Sequence, residues 1–169
     1  PSAVSTTCRW PRPARARTIL SMNAATPAPL PDRDEARRLQ CLRTLQILDT
    51  PPDATLDALT HALAQRLGTP IALVSLVDEH RQWFKSRQGL HASETPREWA
   101  FCAHTIAGDG LLVVDDARTD PRFRANPLVT GEPHIRFYAG APLRVHGQPI
   151  GTLCAIDTRP RALSAGERD

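Results

Sequence analysis

The fold of this chain is decided by residues 120–157, which read DPRFRANPLVTGEPHIRFYAGAPLRVHGQPIGTLCAID. The pattern predicts a loop, a strand at 136–143, a hairpin turn and a second strand at 150–157. Alternation along the first strand places Arg136 and Tyr138 on one face and apolar residues on the other. A strand with one apolar face and one face bearing a cation and a phenol is typical of the floor of a small-molecule pocket.

Two helices are predicted upstream of this segment. Leucines recur every third position in the first helix, at 34–48, with charged residues on the opposite side. The second helix begins where Thr50 serves as cap, Pro51 suits the first helical position and Asp53 completes a capping box. It ends at Gly68, a residue that favours a helix C-terminus.

The strand at 71–78 is apolar at both alternating sets of positions, which predicts a central strand covered on both faces. The other predicted elements between this strand and the opening segment are a hairpin partner at 82–88, a loop at 89–98, a short helix at 100–107, a strand at 111–116 and a long connection at 117–134.

Composition limits the possible functions. The 169 residues fit one domain, and the net charge of +3 arises in the first 21 residues, which hold four arginines and no acid. The remaining residues hold 17 basic and 18 acidic groups, so charge gives no support for nucleic-acid binding. No apolar run approaches the roughly 20 residues that span a bilayer, which favours a cytoplasmic protein without a membrane partner. The four cysteines show no CxxC spacing, which fits a reducing compartment.

The two ends of the chain differ from its middle. Residues 1–31 contain six prolines and almost no apolar periodicity, and they are interpreted as a disordered or over-called leader, with an organelle transit peptide as the alternative. Residues 32–169 are predicted to be the folded domain. Ser164 and Glu167 form a capping box whose helix has almost no sequence behind it, so we expect a domain that lacks its C-terminal helix.

Several motifs carry a family resemblance. They are FCAHTI (101–106), LLVVDDARTDPRF (111–123), NPLV (126–129), IRFYAGAPL (135–143) and GTLCAID (151–157). In this order they resemble the GAF domain, in particular the subgroup at the input end of bacterial sensor histidine kinases and diguanylate cyclases. The resemblance covers roughly residues 34–169.

The resemblance implies an α+β fold with a central antiparallel sheet, terminal helices on one face and pocket loops on the other. It also implies a regulatory function, in which the pocket or a homodimer formed through the helices biases an attached output domain. The ligand is expected to be a small molecule, and no cofactor is implied. The predicted ligand-binding residues are Trp83, Lys85, Phe101, His104, Asp116, Arg122, Arg136 and Tyr138.

Alternatives remain for these residues and for the domain. Arg122 and Arg136 are equally well explained as partners of nearby aspartates that fix the long loop. Cys102 and His104 are two positions apart, so they do not face each other on a helix, and a cysteine-dependent methionine sulfoxide reductase is a less favoured function. A metal site lacks ligand spacing, and the bilin and cyclic-nucleotide motifs of some relatives are not matched. A domain that only dimerises, without a ligand, is the main alternative.

Overall fold

The computed structural model describes residues 32–168, so the interpretation of residues 1–31 lies outside the described residues. Its elements in chain order are α1 (Asp32–Thr44), α2 (Ala54–Leu67), β1 (Ile71–Val77), β2 (Arg81–Gln88), β3 (Glu94–Pro96), a 3-10 turn (Arg97–Trp99), α3 (Phe101–Ile106), β4 (Leu112–Val114), α4 (Pro127–Thr130), β5 (Phe137–Val145), β6 (Gln148–Asp157) and α5 (Ala165–Arg168).

A six-stranded antiparallel sheet in the order β3-β2-β1-β6-β5-β4 forms the centre of the fold. Every residue of β1 is buried, as expected for a central strand with side chains covered on both faces. Helices α1 and α2 pack on one face, which we call the helix face. Helix α3 and the 117–135 segment cover the other face, which we call the α3 face. The predicted α+β class with a central antiparallel sheet is confirmed.

Local sequence explains the boundaries of α2. The N-cap is Asp53, whose Oδ1 accepts hydrogen bonds from the backbone amides of Thr55 and Leu56. The capping role predicted for Thr50 is therefore wrong, and its hydroxyl instead donates to the carbonyl of Ile47 at 2.6 Å. Gly68 ends the helix in the left-handed region at φ 59°, as predicted.

Helix α1 is shorter than its leucine pattern predicts. It stops at Thr44, before Leu48, because Gln46 and Asp49 adopt positive φ angles of 49° and 57° and turn the chain toward α2. Leu48 still packs on the helix-face core. The leucine pattern therefore predicts burial of this residue, although the residue lies beyond the end of the helix.

The connection between β5 and β6 is tighter than predicted. Only His146 and Gly147 lie between the strands, and both have positive φ (49° and 78°), the backbone that a two-residue hairpin turn requires. Two regions predicted as loops contain short elements: β3 lies within 89–98, where the 3-10 turn also begins, and α4 lies within 117–134. Asn126 caps α4 by accepting a hydrogen bond from the amide of Leu128 at 2.9 Å.

Candidate functional site

Helix α3 brings aromatic and sulfur-bearing side chains onto the α3 face. Five of its six residues are buried, because the helix lies directly over β5 and β6. Phe101 stacks on Phe123 from the long connection, with ring centroids 4.0 Å apart and planes 8° apart. Phe101 also contacts the ring of Tyr138 at 5.3 Å. These three rings fill the middle of the region where the sequence predicts a ligand pocket.

The Tyr138 hydroxyl belongs to a group of buried polar side chains that we call the thiol cluster. Its members are Cys102 and Thr105 of α3, Tyr138 of β5, and Thr152 and Cys154 of β6. The Tyr138 hydroxyl lies 2.7 Å from the Thr105 hydroxyl. Thr152 donates its hydroxyl hydrogen to the Cys102 sulfur at 2.9 Å, and Tyr138 donates to the same sulfur at 3.5 Å. The sulfur atoms of Cys102 and Cys154 are 3.8 Å apart.

Tyr138 owes its position to a glycine. A Cβ added at Gly140 would collide with the Tyr138 phenol, so only glycine lets this ring lie along the strand. The ring is completely buried. The phenol that the sequence assigns to the pocket floor is therefore part of a packed cluster.

The ionisable groups of the thiol cluster have pKa values shifted in different directions. Burial opposes ionisation of Cys102, but hydrogen bonds from Cys154, Thr152 and Tyr138 outweigh it and lower the pKa of Cys102 to about 7. The hydrogen bond to Cys102, together with burial, raises the pKa of Cys154. Burial and the nearby Cys102 raise the pKa of Tyr138. Cys102 is thus the group of the cluster that ionises first.

The rim of the site is formed by His104, Asp120 and Arg122. The ring of His104 meets the edge of Phe123 at 4.7 Å, and burial together with the charge of Arg122 lowers the pKa of His104 to about 4. Arg122 pairs with Asp120 at 2.6 Å, and its guanidinium lies 5.1 Å from the Phe123 centroid. The rim therefore presents a neutral imidazole beside a half-exposed cation.

Arg136 and Asp116 make their contacts at the two ends of the long connection. Arg136 precedes β5 and donates to the carbonyls of Val129 and Ile135 at 2.9 and 3.0 Å. Asp116 pairs with Arg118 at 2.7 Å, and this hydrogen bond lowers the pKa of Asp116. The alternative in which an arginine pairs with a nearby aspartate holds for Arg122, which pairs with Asp120. Arg136 instead fixes the loop through hydrogen bonds to backbone carbonyls.

Trp83 and Lys85 are not brought to the other six predicted site residues. Trp83 pairs with Leu76 of β1 and packs against Leu42 of α1 on the helix face. Lys85 donates to Thr50 and to the carbonyl of Pro51 on the same side. Because β1 is apolar on both faces, the sequence did not tell which alternating set of β2 faces which layer.

An ion-pair network connects the two faces of the sheet, and no motif or spacing in the sequence predicted it. Glu35 of α1 accepts hydrogen bonds from Arg38 at 2.7 and 2.8 Å and from Arg97 of the 3-10 turn at 2.7 Å. The Arg38 side chain is fully buried and also donates to the carbonyl of Val77 at the end of β1. Bonding to Arg38 and Arg97 lowers the pKa of Glu35 to about 2. The 3-10 turn leads directly into α3, so α1 and α3 are physically connected.

Within residues 32–168, no group of three or more His, Cys, Asp and Glu residues is arranged to hold a metal ion. No helix in this part of the chain combines the length and apolar character needed to cross a membrane.

Comparison with known proteins agrees with this architecture. A cyclic di-GMP phosphodiesterase of Pseudomonas aeruginosa is 47% identical over 146 residues, which make up 86% of this chain and 24% of that protein. The chain therefore spans about a quarter of the length of this relative.

Solved structures share the fold at low sequence identity. The GAF domain of a phosphoenolpyruvate-protein phosphotransferase from Acinetobacter is 15% identical, with a TM-score of 0.56 and coverage of 82% of this chain and 85% of that one. The free methionine-R-sulfoxide reductase of Neisseria meningitidis is 21% identical, with a TM-score of 0.55 and coverage of 86% and 87%. At such identity the likeness shows the fold alone. The model of the GAF domain family matches residues 51–169, and the chain belongs to this family.

Proposed function

We propose that this chain is the regulatory input module of a protein that turns over cyclic di-GMP. In this proposal a small molecule binds on the α3 face, and the helix face transmits the binding to an attached phosphodiesterase domain. The 47% identity to a protein named as a cyclic di-GMP phosphodiesterase supports this output. The sequence resemblance favours a diguanylate cyclase or a histidine kinase, and these remain the alternative output domains.

The observation that carries the proposal is the network centred on Glu35. Signalling between two faces requires an element that both faces contact. Glu35 on α1 holds Arg97 of the turn that leads into α3, and it holds the buried Arg38 against β1. A shift of α3 on ligand binding would therefore change the partners of a carboxylate on α1.

Unpaired polar atoms support the α3 face as the ligand side. Buried side-chain oxygens of Gln82 and Thr95 have no hydrogen-bond partner within the described part of the chain. Gln82 of β2 pairs with Thr95 of β3 and with Val77 of the α3-face core, so both oxygens lie on the α3 face. Buried polar atoms are nearly always paired, and such a set is a natural place for a ligand or ordered water.

The rim adds the groups that would select the ligand. His104, neutral near pH 7, offers one donor and one acceptor, and Arg122 offers a cation. We therefore propose that the ligand carries an anionic or strongly accepting group beside a flat apolar part that replaces ring contacts of Phe123.

A dimerisation module without a ligand is the second candidate function. It is favoured by the mutual contacts of Phe101, Phe123 and Tyr138, which fill the middle of the α3 face.

The test uses the full-length protein that contains this chain. Hydrolysis of cyclic di-GMP is measured with and without fractionated metabolite pools, in the wild type and in Arg122→Ala. We expect at least one fraction to change the hydrolysis rate of the wild type, and the response to need a higher concentration in Arg122→Ala because the rim cation is lost.

The matched control is Arg43→Ala, which removes an exposed arginine that pairs with Glu79 away from the rim. It should respond as the wild type does. A protein with no phosphodiesterase activity would overturn the proposed output domain, and activity that ignores every fraction would favour the dimerisation module. Thermal shift on the same fractions separates these cases, because a bound ligand stabilises by mass action.

A further inference from the structure

The thiol cluster has a geometry that neither sensing nor dimerisation uses. Its two sulfurs belong to different elements, Cys102 to α3 and Cys154 to the central strand β6, and they lie 3.8 Å apart. Both cysteines are buried and free. A disulfide bond needs a sulfur separation of about 2 Å, so the two sulfur atoms have to approach each other by roughly a further 2 Å.

We propose that Cys102 and Cys154 form a redox-active dithiol, which a peroxide oxidises to a disulfide and a thiol reductant restores. The site takes small, uncharged hydroperoxides, with hydrogen peroxide as the simplest member of the class.

Hydrogen bonds assign the two cysteines different roles. Thr152 donates to the Cys102 sulfur at 2.9 Å and Tyr138 donates at 3.5 Å, so two hydroxyl groups stabilise a negative charge on this sulfur. They lower the pKa of Cys102 to about 7, although burial opposes ionisation, whereas the pKa of Cys154 is raised. Cys102 is therefore the attacking thiolate and Cys154 the thiol that resolves the intermediate.

The chemical step is balanced. The Cys102 thiolate attacks one oxygen of the peroxide, the O–O bond breaks, and hydroxide leaves, so Cys102 becomes a sulfenic acid. The Cys154 sulfur then attacks the Cys102 sulfur, the S–O bond breaks, and the departing hydroxide takes a proton and leaves as water. Two thiols lose two electrons and one peroxide gains them, giving one disulfide and two waters.

Access to the cluster depends on local opening. The thiols lie in the same buried core as Phe101 and Phe123, and Cys102 is only 1% exposed. A peroxide comparable to water in size can reach the sulfur during small openings of this core, whereas a bulky aromatic disulfide reagent needs a larger opening. The expected reactivity therefore falls steeply with the size of the oxidant.

The disulfide would also act on the rest of the domain. It ties α3 to β6, and α3 follows the turn in which Arg97 contacts Glu35 of α1. Oxidation thus changes the same connection through which the α3 face contacts the helix face.

The test starts from the reduced wild-type chain. The chain is treated with hydrogen peroxide, remaining thiols are alkylated under denaturing conditions, and the product is digested with trypsin without reduction. Cys102 lies in the peptide 98–118 and Cys154 in the peptide 145–161, which resists cleavage at Arg159 because Pro160 follows. We expect a cross-linked pair of these peptides that disappears on treatment with a thiol reductant.

Variants assign the roles. In Cys154→Ala the sulfenic acid on Cys102 should persist and be trapped by a dimedone-type probe when the oxidised protein is denatured in the presence of the probe, since the folded core admits only small molecules. Cys102→Ala should consume peroxide at about one tenth of the wild-type rate or below, because the Cys102 thiolate is the nucleophile. Cys41→Ala is the matched control, since Cys41 is a half-buried thiol outside the cluster, and it should form the cross-link at the wild-type rate. Circular dichroism checks that each variant is folded.

Two outcomes would overturn the proposal. The first is recovery of Cys102 and Cys154 as alkylated thiols after peroxide has oxidised Cys41. The second is a sulfenic acid trapped on Cys154 of the wild type in place of Cys102. The cross-link in the wild-type chain decides the matter even if a cysteine variant fails to fold.

Discussion

The helix face and the α3 face of the same sheet satisfy their polar groups differently. On the helix face, Thr60, Ser86 and Asp57 join in a closed chain of hydrogen bonds at 2.8 and 2.5 Å between α2 and β2. On the α3 face, the side-chain oxygens of Gln82 and Thr95 have no partner within residues 32–168. The contact between α2 and β2 on the helix face therefore satisfies its own polar groups, whereas Gln82 and Thr95 on the α3 face keep acceptors that no described protein group satisfies.

The largest expected effect comes from the network that crosses between the faces. Glu35→Gln leaves the fully buried guanidinium of Arg38 without its carboxylate, and we expect a loss of about 3 kcal/mol in the free energy of unfolding. Glu79→Gln is the matched control, because it removes an exposed pair with Arg43 and should cost less than about 1 kcal/mol. Urea denaturation measures both.

The same pair of proteins gives a pH test with a defined sign. The pKa of Glu35 is lowered from its usual 4.5 to about 2, so its stabilisation is full above the unfolded pKa and is lost as pH falls toward the folded one. The difference between the wild type and Glu35→Gln should therefore shrink as the pH falls from 4.5 to about 2. A difference that stays constant over this range would contradict the ion-pair account.

A smaller effect tests the packing of the α3 face. Gly140→Ala places a methyl group against the Tyr138 phenol, and we expect a loss of about 2 kcal/mol from overpacking. Gly110→Ala is the control, since a Cβ there meets nothing within 4 Å. Calorimetry should show near-equal melting temperatures for Gly110→Ala and the wild type. Equal melting temperatures for all three proteins would mean that the Tyr138 ring is free to move.

The smallest effect concerns the rim. His104 is neutral in the fold because burial and Arg122 lower its pKa to about 4, so the stability that it contributes is full above its unfolded pKa and falls as pH decreases. Between about pH 7 and 5.5 the wild type should lose about 1 kcal/mol more than His104→Gln. Denaturant titration at each pH measures the free energy of unfolding of both proteins. Equal losses in the two proteins would show that His104 is charged or exposed.

Local signals in the sequence predicted the elements that depend on neighbours along the chain. The stop at Gly68 needs only its own backbone chemistry, and it is present as predicted. The capping box of Ser164 and Glu167 is also present, with hydrogen bonds of 2.6 and 2.8 Å to the Glu167 carboxylate. The family resemblance predicted the central antiparallel sheet and a site on the face opposite the terminal helices.

The rest depends on contacts between distant segments. The face of Trp83 could not be assigned, because its partner strand β1 is apolar on both sides. The contact between Cys102 and Cys154 joins residues 52 positions apart, and sequence periodicity does not predict contacts between segments so far apart along the chain. The link from Arg97 to Glu35 likewise appears only once α1 and the 3-10 turn are placed side by side.

The central claim is that Glu35 couples α1 to the α3 face, and amide hydrogen exchange tests it most directly. Exchange is measured by mass spectrometry across residues 97–106 in the wild type, Glu35→Gln and Glu79→Gln. We predict faster exchange in this segment for Glu35→Gln alone, because Arg97 loses its carboxylate and the turn that leads into α3 loosens. Faster exchange confined to α1, with residues 97–106 as protected as in the wild type, would contradict the account.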